Sequence, residues 1–224
     1  MGEAPRALVW ASYTSPKGEI MKILLINGSP RKDSNTELAL KEVAKSLNEE
    51  SIDTEIITIG NNVPGCKACT ACYKLGKCVI DDIVNEVAAK FKEADGIVVG
   101  SPTYYASTNG TVISFLDRLF YSASFDKSMK VGAAVCIARR AGTDTNFDVI
   151  NKYFTISNMV VVGSQYWNNA FGTRPGESSQ DEEGMQTMRR LGKNMAFLVK
   201  SINDGKKKYK INFDEEHKFT NFIK

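Results

Sequence analysis

The sequence predicts a doubly wound α/β fold: a five-stranded parallel sheet in the order 2-1-3-4-5, with helices on both faces. Three observations lead there. Short apolar runs rich in β-branched residues alternate five times with stretches of helical period. The runs lack the polar alternates of a half-exposed strand, which suits strands covered on both faces. No linker, internal repeat or low-complexity stretch divides the chain, so the five units read as one sheet with helical crossovers.

The elements follow in order. KILLIN (residues 22–27) ends at Gly28 and reads as the first strand. NTELALKEVAKSLNE (35–49) carries Leu38, Leu40, Val43, Ala44 and Leu47 on a helical stripe. TEIITI (54–59) is the second strand, followed by a cysteine-rich loop over 64–80. DDIVNEVAAKFKEA (81–94) is a helix whose paired aspartates suit its N-terminus. GIVVG (96–100) is the third strand, GTVISFLDRLFYS (110–122) a helix and KVGAAVCIA (130–138) the fourth strand, with Cys136 in the core. FDVINKYFTIS (147–157) is helical and MVVVGS (159–164) is the fifth strand. DEEGMQTMRRLGKNMAFLVKSI (181–202) is a long last helix, with acids at its start and Met185, Met188, Leu191, Met195 and Leu198 along it. One domain therefore spans 21–202, with a C-terminal tail over 203–224. Residues 1–20 show no periodicity, and Met21 stands directly before the first strand. They read as a non-native or disordered extension to a chain that naturally starts at Met21.

Bulk properties narrow the function. A chain of 224 residues buries a full core without disulfide staples. Apolar content of 42% and charged content of 25% are those of an ordinary globular protein. A net charge of +3 is too small to indicate nucleic acid, and the basic run GKKKYK near the C-terminus reads as a solvated tail. No apolar run reaches the roughly 18 residues of a membrane span, and the N-terminus lacks a signal-peptide core. The expectation is a cytoplasmic protein with no membrane or nucleic-acid partner. The only histidine is His217, outside the main block, which argues against Ser-His-Asp, Cys-His and histidine-metal chemistry.

Doubly wound sheets bind ligands at the carboxyl ends of their strands, and three loops lie there. NGSPRKDSNT follows the first strand and leads into a helix. Free N–H groups at a helix start, hydroxyls, and Arg31 as a forked cation make it a phosphate site. It is neither a G-K-[ST] loop nor G-x-G-x-x-G. SPTYYAST follows the third strand and offers aromatic rings to a planar ligand. ARRAGTDTN follows the fourth, where Arg139 and Arg140 face either an anion or solvent. Two stretches exceed ordinary loop length, the cysteine segment and QYWNNAFGTRPGESSQ, and long loops in compact domains are often functional.

The cysteine segment CKACTACYKLGKC holds four of the chain's five cysteines at spacing C-x2-C-x2-C-x5-C. In a reducing compartment such clusters indicate metal or redox chemistry. The spacing leaves open an iron–sulfur cluster, a four-thiolate zinc and a redox dithiol. Zinc sites usually join two separated C-x2-C knuckles, and a dithiol leaves two cysteines unexplained.

GSPRKDSNT, SPTYYASTNGTVISFLDR and the block VVGSQYWN with DEEGMQTMRRLGKNMA together resemble the flavodoxin-like NAD(P)H-dependent FMN reductase family, from Met21 to about Ile202. The resemblance implies that Ser29, Arg31, Ser34, Asn35 and Thr36 hold the FMN phosphate. It implies that Pro102, Thr103, Tyr104, Tyr105 and Asn109 contact the isoalloxazine ring, that FLDRLF (115–120) lies near that region, and that the protein forms a homodimer or a dimer of dimers. The cysteine motif resembles that of the iron–sulfur flavoproteins of anaerobic microbes, which implies a [4Fe–4S] cluster on Cys66, Cys69, Cys72 and Cys78. The expected activity is an FMN-dependent oxidoreductase with flavin-borne chemistry and no catalytic side chain. Electrons come from NAD(P)H or reduced ferredoxin and pass to a small acceptor such as a quinone or flavin. The alternative is a flavodoxin-type electron carrier without a substrate of its own.

Overall fold

The computed structural model describes residues 20–211 and residue 215. The expected extension before Ile20, the rest of the tail and His217 lie outside the described residues. In chain order the elements are β1 (Lys22–Asn27), α1 (Asn35–Glu49), β2 (Asp53–Thr58), α2 (Cys72–Leu75), α3 (Ile83–Glu93), β3 (Gly96–Tyr104), β4 (Ser107–Thr108), α4 (Gly110–Ser122), β5 (Val131–Ala138), α5 (Thr143–Ile156), β6 (Val160–Val161), β7 (Asn169–Phe171) and α6 (Glu182–Lys208).

The main sheet is parallel, with neighbours β2-β1-β3-β5-β6, which is the expected 2-1-3-4-5 order of a flavodoxin-like fold. Its central strands are buried on both faces, because their alternate residues serve two cores. Ile23 and Leu25 of β1, Val98 of β3 and Ala133 and Val135 of β5 pack with α1 and α6. Leu24, Ile26, Ile97, Val99, Ala134 and Cys136 pack on the other side with α3, α4 and α5. Burial pushes the Cys136 thiol far up, as suits an inert core residue. The two helices of the first face come very close. A Cβ at Gly192 of α6 would stand 2.6 Å from the Ser46 Cβ and 2.9 Å from the Val43 carbonyl of α1.

Four elements differ from expectation, the smallest change being α5, which starts at Thr143 rather than at Phe147. The fifth strand comes in two pieces. β6 pairs with Val131 and Gly132 at one end of β5, and β7 pairs with Cys136 to Ala138 at the other. Between them the chain leaves the sheet at Gly163, turns on a bond from the Ser164 hydroxyl to the Tyr166 carbonyl (2.7 Å), and exposes Tyr166 and Trp167. The third strand runs on past Gly100 to Tyr104, because β4 folds back to pair Thr103 with Thr108 and Tyr104 with Ser107. The last helix does not stop at Ile202 but continues through Lys208, so the first residues assigned to the tail are helical. Lys206, Lys207 and Lys208 occupy its last turn, where cations interact favourably with the helix dipole.

Candidate functional site

Two cavities hold the residues singled out by the sequence, and the first opens at the carboxyl ends of the strands. The first has a volume of about 260 Å³. Loop 28–34 supplies Ser29, Arg31 and Ser34, and the start of α1 adds Asn35 and Thr36. Pro102, Thr103 and Tyr104 come from the end of β3. Ile137, Ala138 and Arg139 come from the end of β5, and Gly172, Thr173 and Pro175 from the segment after β7.

Local sequence explains the phosphate side. Ser34 is the N-cap of α1, in extended conformation, and its hydroxyl accepts from the Glu37 N–H at 3.1 Å. Among the described residues no hydrogen bond engages the N–H groups of Asn35 and Thr36, so these donors of the first turn remain for a ligand. The Ser29 N–H donates to Asn27 Oδ1 at 3.1 Å, which holds the buried serine against β1. Arg31 is exposed, and its guanidinium has no ion-pair partner among the described residues. Asn35 lines the cavity, and its side chain has a structural part. Its amide donates to the Arg174 carbonyl at 2.9 Å and accepts from the Ser178 N–H at 3.1 Å. It thereby ties the 172–178 segment onto α1. Glu177 closes that segment by accepting from the N–H groups of Arg174 and Thr173, both at 2.8 Å, and these bonds hold its carboxyl below the usual range.

The ring side rests on the β3–β4 hairpin. Asn146 of α5 is fully buried beneath it. Its Nδ2 donates to the Ser101 carbonyl at 3.2 Å and to Thr103 Oγ1 at 3.1 Å, and its Oδ1 accepts from Thr108 Oγ1 at 2.8 Å. This braces Thr103 and Tyr104 at the cavity. Tyr105 does not line it. That residue sits at the hairpin tip with φ 52° and is fully exposed. Asn109 does not line it either, because its groups are spent on structure. It caps α4 by accepting from Thr111 N–H at 2.7 Å and donates to the Gly28 carbonyl at 3.2 Å.

The second cavity is small, about 20 Å³, and all four clustered cysteines line it: Cys66, Cys69, Cys72 and Cys78. Ala68 and Thr70, between the first three, adopt φ of 50° and 55°, a region L-residues rarely enter, and Gly76 adopts 67°. Backbone of this kind clusters at functional sites. Among the described residues no three His, Cys, Asp or Glu side chains form a group tight enough for one metal ion. The donor chemistry nevertheless suits an iron–sulfur cluster. Four thiols line one space, two of the sulfurs accept N–H bonds, from Ala68 at 3.4 Å and from Arg118 at 3.3 Å, and Cys66 and Cys69 are exposed. Tyr73 and Tyr121 share a hydroxyl–hydroxyl bond across the loop and α4.

Arg118 is the residue that sequence reasoning missed. It is 1% exposed and forms a two-pronged ion pair with Asp82, Nη1 to Oδ2 at 2.6 Å and Nη2 to Oδ1 at 2.8 Å. The signal was present: an arginine on the apolar face of α4, beside buried Phe115 and Leu119, where a charge persists only if paired.

Comparison with known proteins gives the same outline. Residues 21–174 match the family model for NADPH-dependent FMN reductase. An iron-sulfur flavoprotein of Methanocaldococcus jannaschii is 37% identical over 191 residues, covering 81% of this chain and 99% of that one. One from Methanosarcina thermophila is 33% identical over 193 residues, covering 84% and 100%. The solved structure of an archaeal flavodoxin superposes with a TM-score of 0.55 at 20% identity, over 80% of this chain and 99% of that one, a likeness of fold.

Proposed function

This chain belongs to the NADPH-dependent FMN reductase family, and on that premise we propose an FMN-dependent oxidoreductase that passes electrons from NAD(P)H or reduced ferredoxin to a small acceptor through a flavin and a [4Fe–4S] cluster. The observation that carries the flavin site is the meeting of loop 28–34 and the β3 end in one cavity. The free N–H groups of Asn35 and Thr36, the Ser29 and Ser34 hydroxyls and Arg31 would hold the phosphate. Tyr104 and Thr103, braced by Asn146, would set the ring's position, and Arg139 adds a cation on the far wall.

Cys66, Cys69, Cys72 and Cys78 would hold the cluster. A zinc ion needs four sulfurs about 2.3 Å from one point, whereas a cubane spreads its thiolates over four irons. Four cysteines around one cavity support the cluster, as do relatives named iron-sulfur flavoproteins. Flavin would supply hydride and single-electron chemistry, and the cluster one-electron storage. The protein's share is binding, orientation and charge. A reducing cytoplasm and a homodimer belong to the same reading. Exposed Tyr73, Leu75, Val79 and Tyr121 around the cysteine loop make an apolar surface there, and light scattering of the purified protein tests the dimer.

The deciding experiment is anaerobic purification followed by absorption spectroscopy and assay of iron, sulfide and flavin. One FMN and four irons per chain are expected, with NAD(P)H oxidised in the presence of a quinone or free flavin. Flavin without iron removes the cluster. Failure to bind added FMN removes the whole reading. Negligible turnover with fast reduction by ferredoxin identifies an electron carrier instead.

A further inference from the structure

The cysteine loop is held at both ends by a buried charge whose capacity is completely used. A guanidinium has five N–H donors, and Arg118 places all of them. Besides the two bonds to Asp82, Nη1 donates to the Pro64 carbonyl at 3.2 Å, Nη2 to the Ile80 carbonyl at 3.1 Å, and Nε to Cys78 Sγ at 3.3 Å. The two carbonyls bracket the cysteine segment, so one side chain fixes both of its ends. Asn85 secures Cys78 further. Its Oδ1 accepts from the Cys78 N–H at 3.0 Å, and its Nδ2 donates to the carbonyls of Cys78 at 3.0 Å and Ile80 at 3.2 Å. Among the described residues nothing comparable reaches the other three clustered cysteines. Cys66 receives one backbone N–H, and no bond to the Cys69 or Cys72 sulfur occurs among the described residues.

We propose that Arg118 is a positioning residue that makes Cys78 the rigid, charge-bonded ligand of the cluster and raises the cluster's reduction potential through its Nε–H···Sγ bond. The inference rests on the cluster reading above. Adding one electron to a cluster, from reduced flavin or from a chemical reductant, adds one negative charge that spreads onto the ligand sulfurs. A cationic N–H donor at one sulfur stabilises that reduced form more than the oxidised one, and hydrogen bonding to sulfur is a known determinant of such potentials. Asp82 works the other way, since its carboxylate compensates part of the guanidinium charge.

These opposed roles give variants with opposite signs. The experiment is an EPR-monitored titration of anaerobically reconstituted protein with dithionite, with iron, sulfide and FMN content measured alongside. Arg118→Gln is expected to lower the potential, raising the oxidised-to-reduced ratio at fixed potential about tenfold, which is about 59 mV for one electron. Asp82→Asn keeps the shape of the α3 cap and leaves the guanidinium less compensated, so the potential is expected to rise. Bound FMN is the folding control, because the flavin cavity shares no lining residue with the cysteine cavity. If Arg118→Gln loses FMN, Asp82→Asn alone decides. Potentials unmoved in folded variants, or moved in the same direction, overturn the inference. Wild-type protein that retains no iron overturns the cluster reading and this inference with it; iron present with an unmoved potential overturns only the latter.

Discussion

Arg31 is an exposed cation with no ion-pair partner among the described residues, at the mouth of a cavity walled by N–H groups and hydroxyls. Charged hydrogen bonds contribute about 1.5–3 kcal/mol each. Arg31→Ala is accordingly expected to weaken FMN binding roughly tenfold to a hundredfold, read by quenching of flavin fluorescence during titration. Tyr153 carries a different expectation. Burial first, and then its bond to Asp117 at 2.5 Å, push the phenol well above its ordinary value. It should remain protonated as pH rises through the ordinary phenol range, and Tyr153→Phe should leave the ultraviolet titration between about pH 10 and 11 unchanged. At this scale the sequence was informative where function is local. Arg31, Ser34 and Thr36 sit in one loop and helix start, and their neighbours in the chain are their neighbours in space. The partners of Arg118 were opaque because they lie 36 and 54 residues away, at Asp82 and Pro64. Tyr105 and Asn109 shared the motif of Tyr104, but nothing in the motif says that the hairpin turns between them.

The close approach of β1's end to its neighbours depends on one residue without a side chain. A Cβ at Gly28 would stand 2.2 Å from Val112 Cγ2 and 2.8 Å from the Gly100 carbonyl. Gly28→Ala must push loop 28–34 away from β3 and α4, at a cost of about 1–3 kcal/mol. Thermal unfolding should register the loss, and FMN affinity should fall with it. On β2, Glu55 accepts from Lys22 at 2.6 Å and from Lys90 at 2.5 Å, and both bonds lower its carboxyl. A lowered carboxyl stabilises the fold above its unfolded value near 4.5 and loses that contribution as pH falls through the lower folded value. Wild type and Glu55→Gln should thus differ in melting temperature at neutral pH and converge in acid. Strand β1 and helix α1 were legible to the residue, since apolar period and cap coincide. The fifth strand was not. The run MVVVGS has the composition of a strand, but β5 offers pairing partners only at its two ends, and the intervening chain bulges into solvent.

Across the whole molecule, α4 joins the two cavities without letting them overlap. Its cap Asn109 holds Gly28 beside the flavin cavity, and Arg118, Tyr121 and Ser122 line the cysteine cavity. At about 1.5 Å per residue, the helix sets them more than ten ångströms apart along its axis. Replacing Cys66, Cys69 and Cys72 with serine should therefore abolish iron binding and leave FMN stoichiometry unchanged, as metal analysis and the flavin absorption band would show. The sheet order was legible because five alternations admit few windings. The separation of the two cavities was not, because it depends on which face of α4 meets the cysteine loop.

The bracket formed by Arg118 has a bearing on how the protein matures. Both stems of the cysteine loop are clamped by the folded body, while Cys66 and Cys69 stay open to solvent. On the cluster reading, iron and sulfide would reach a chain that has already finished folding, and their loss to oxygen would not unravel it. An air-damaged molecule would survive as a flavin-only shell, ready to be repaired rather than degraded.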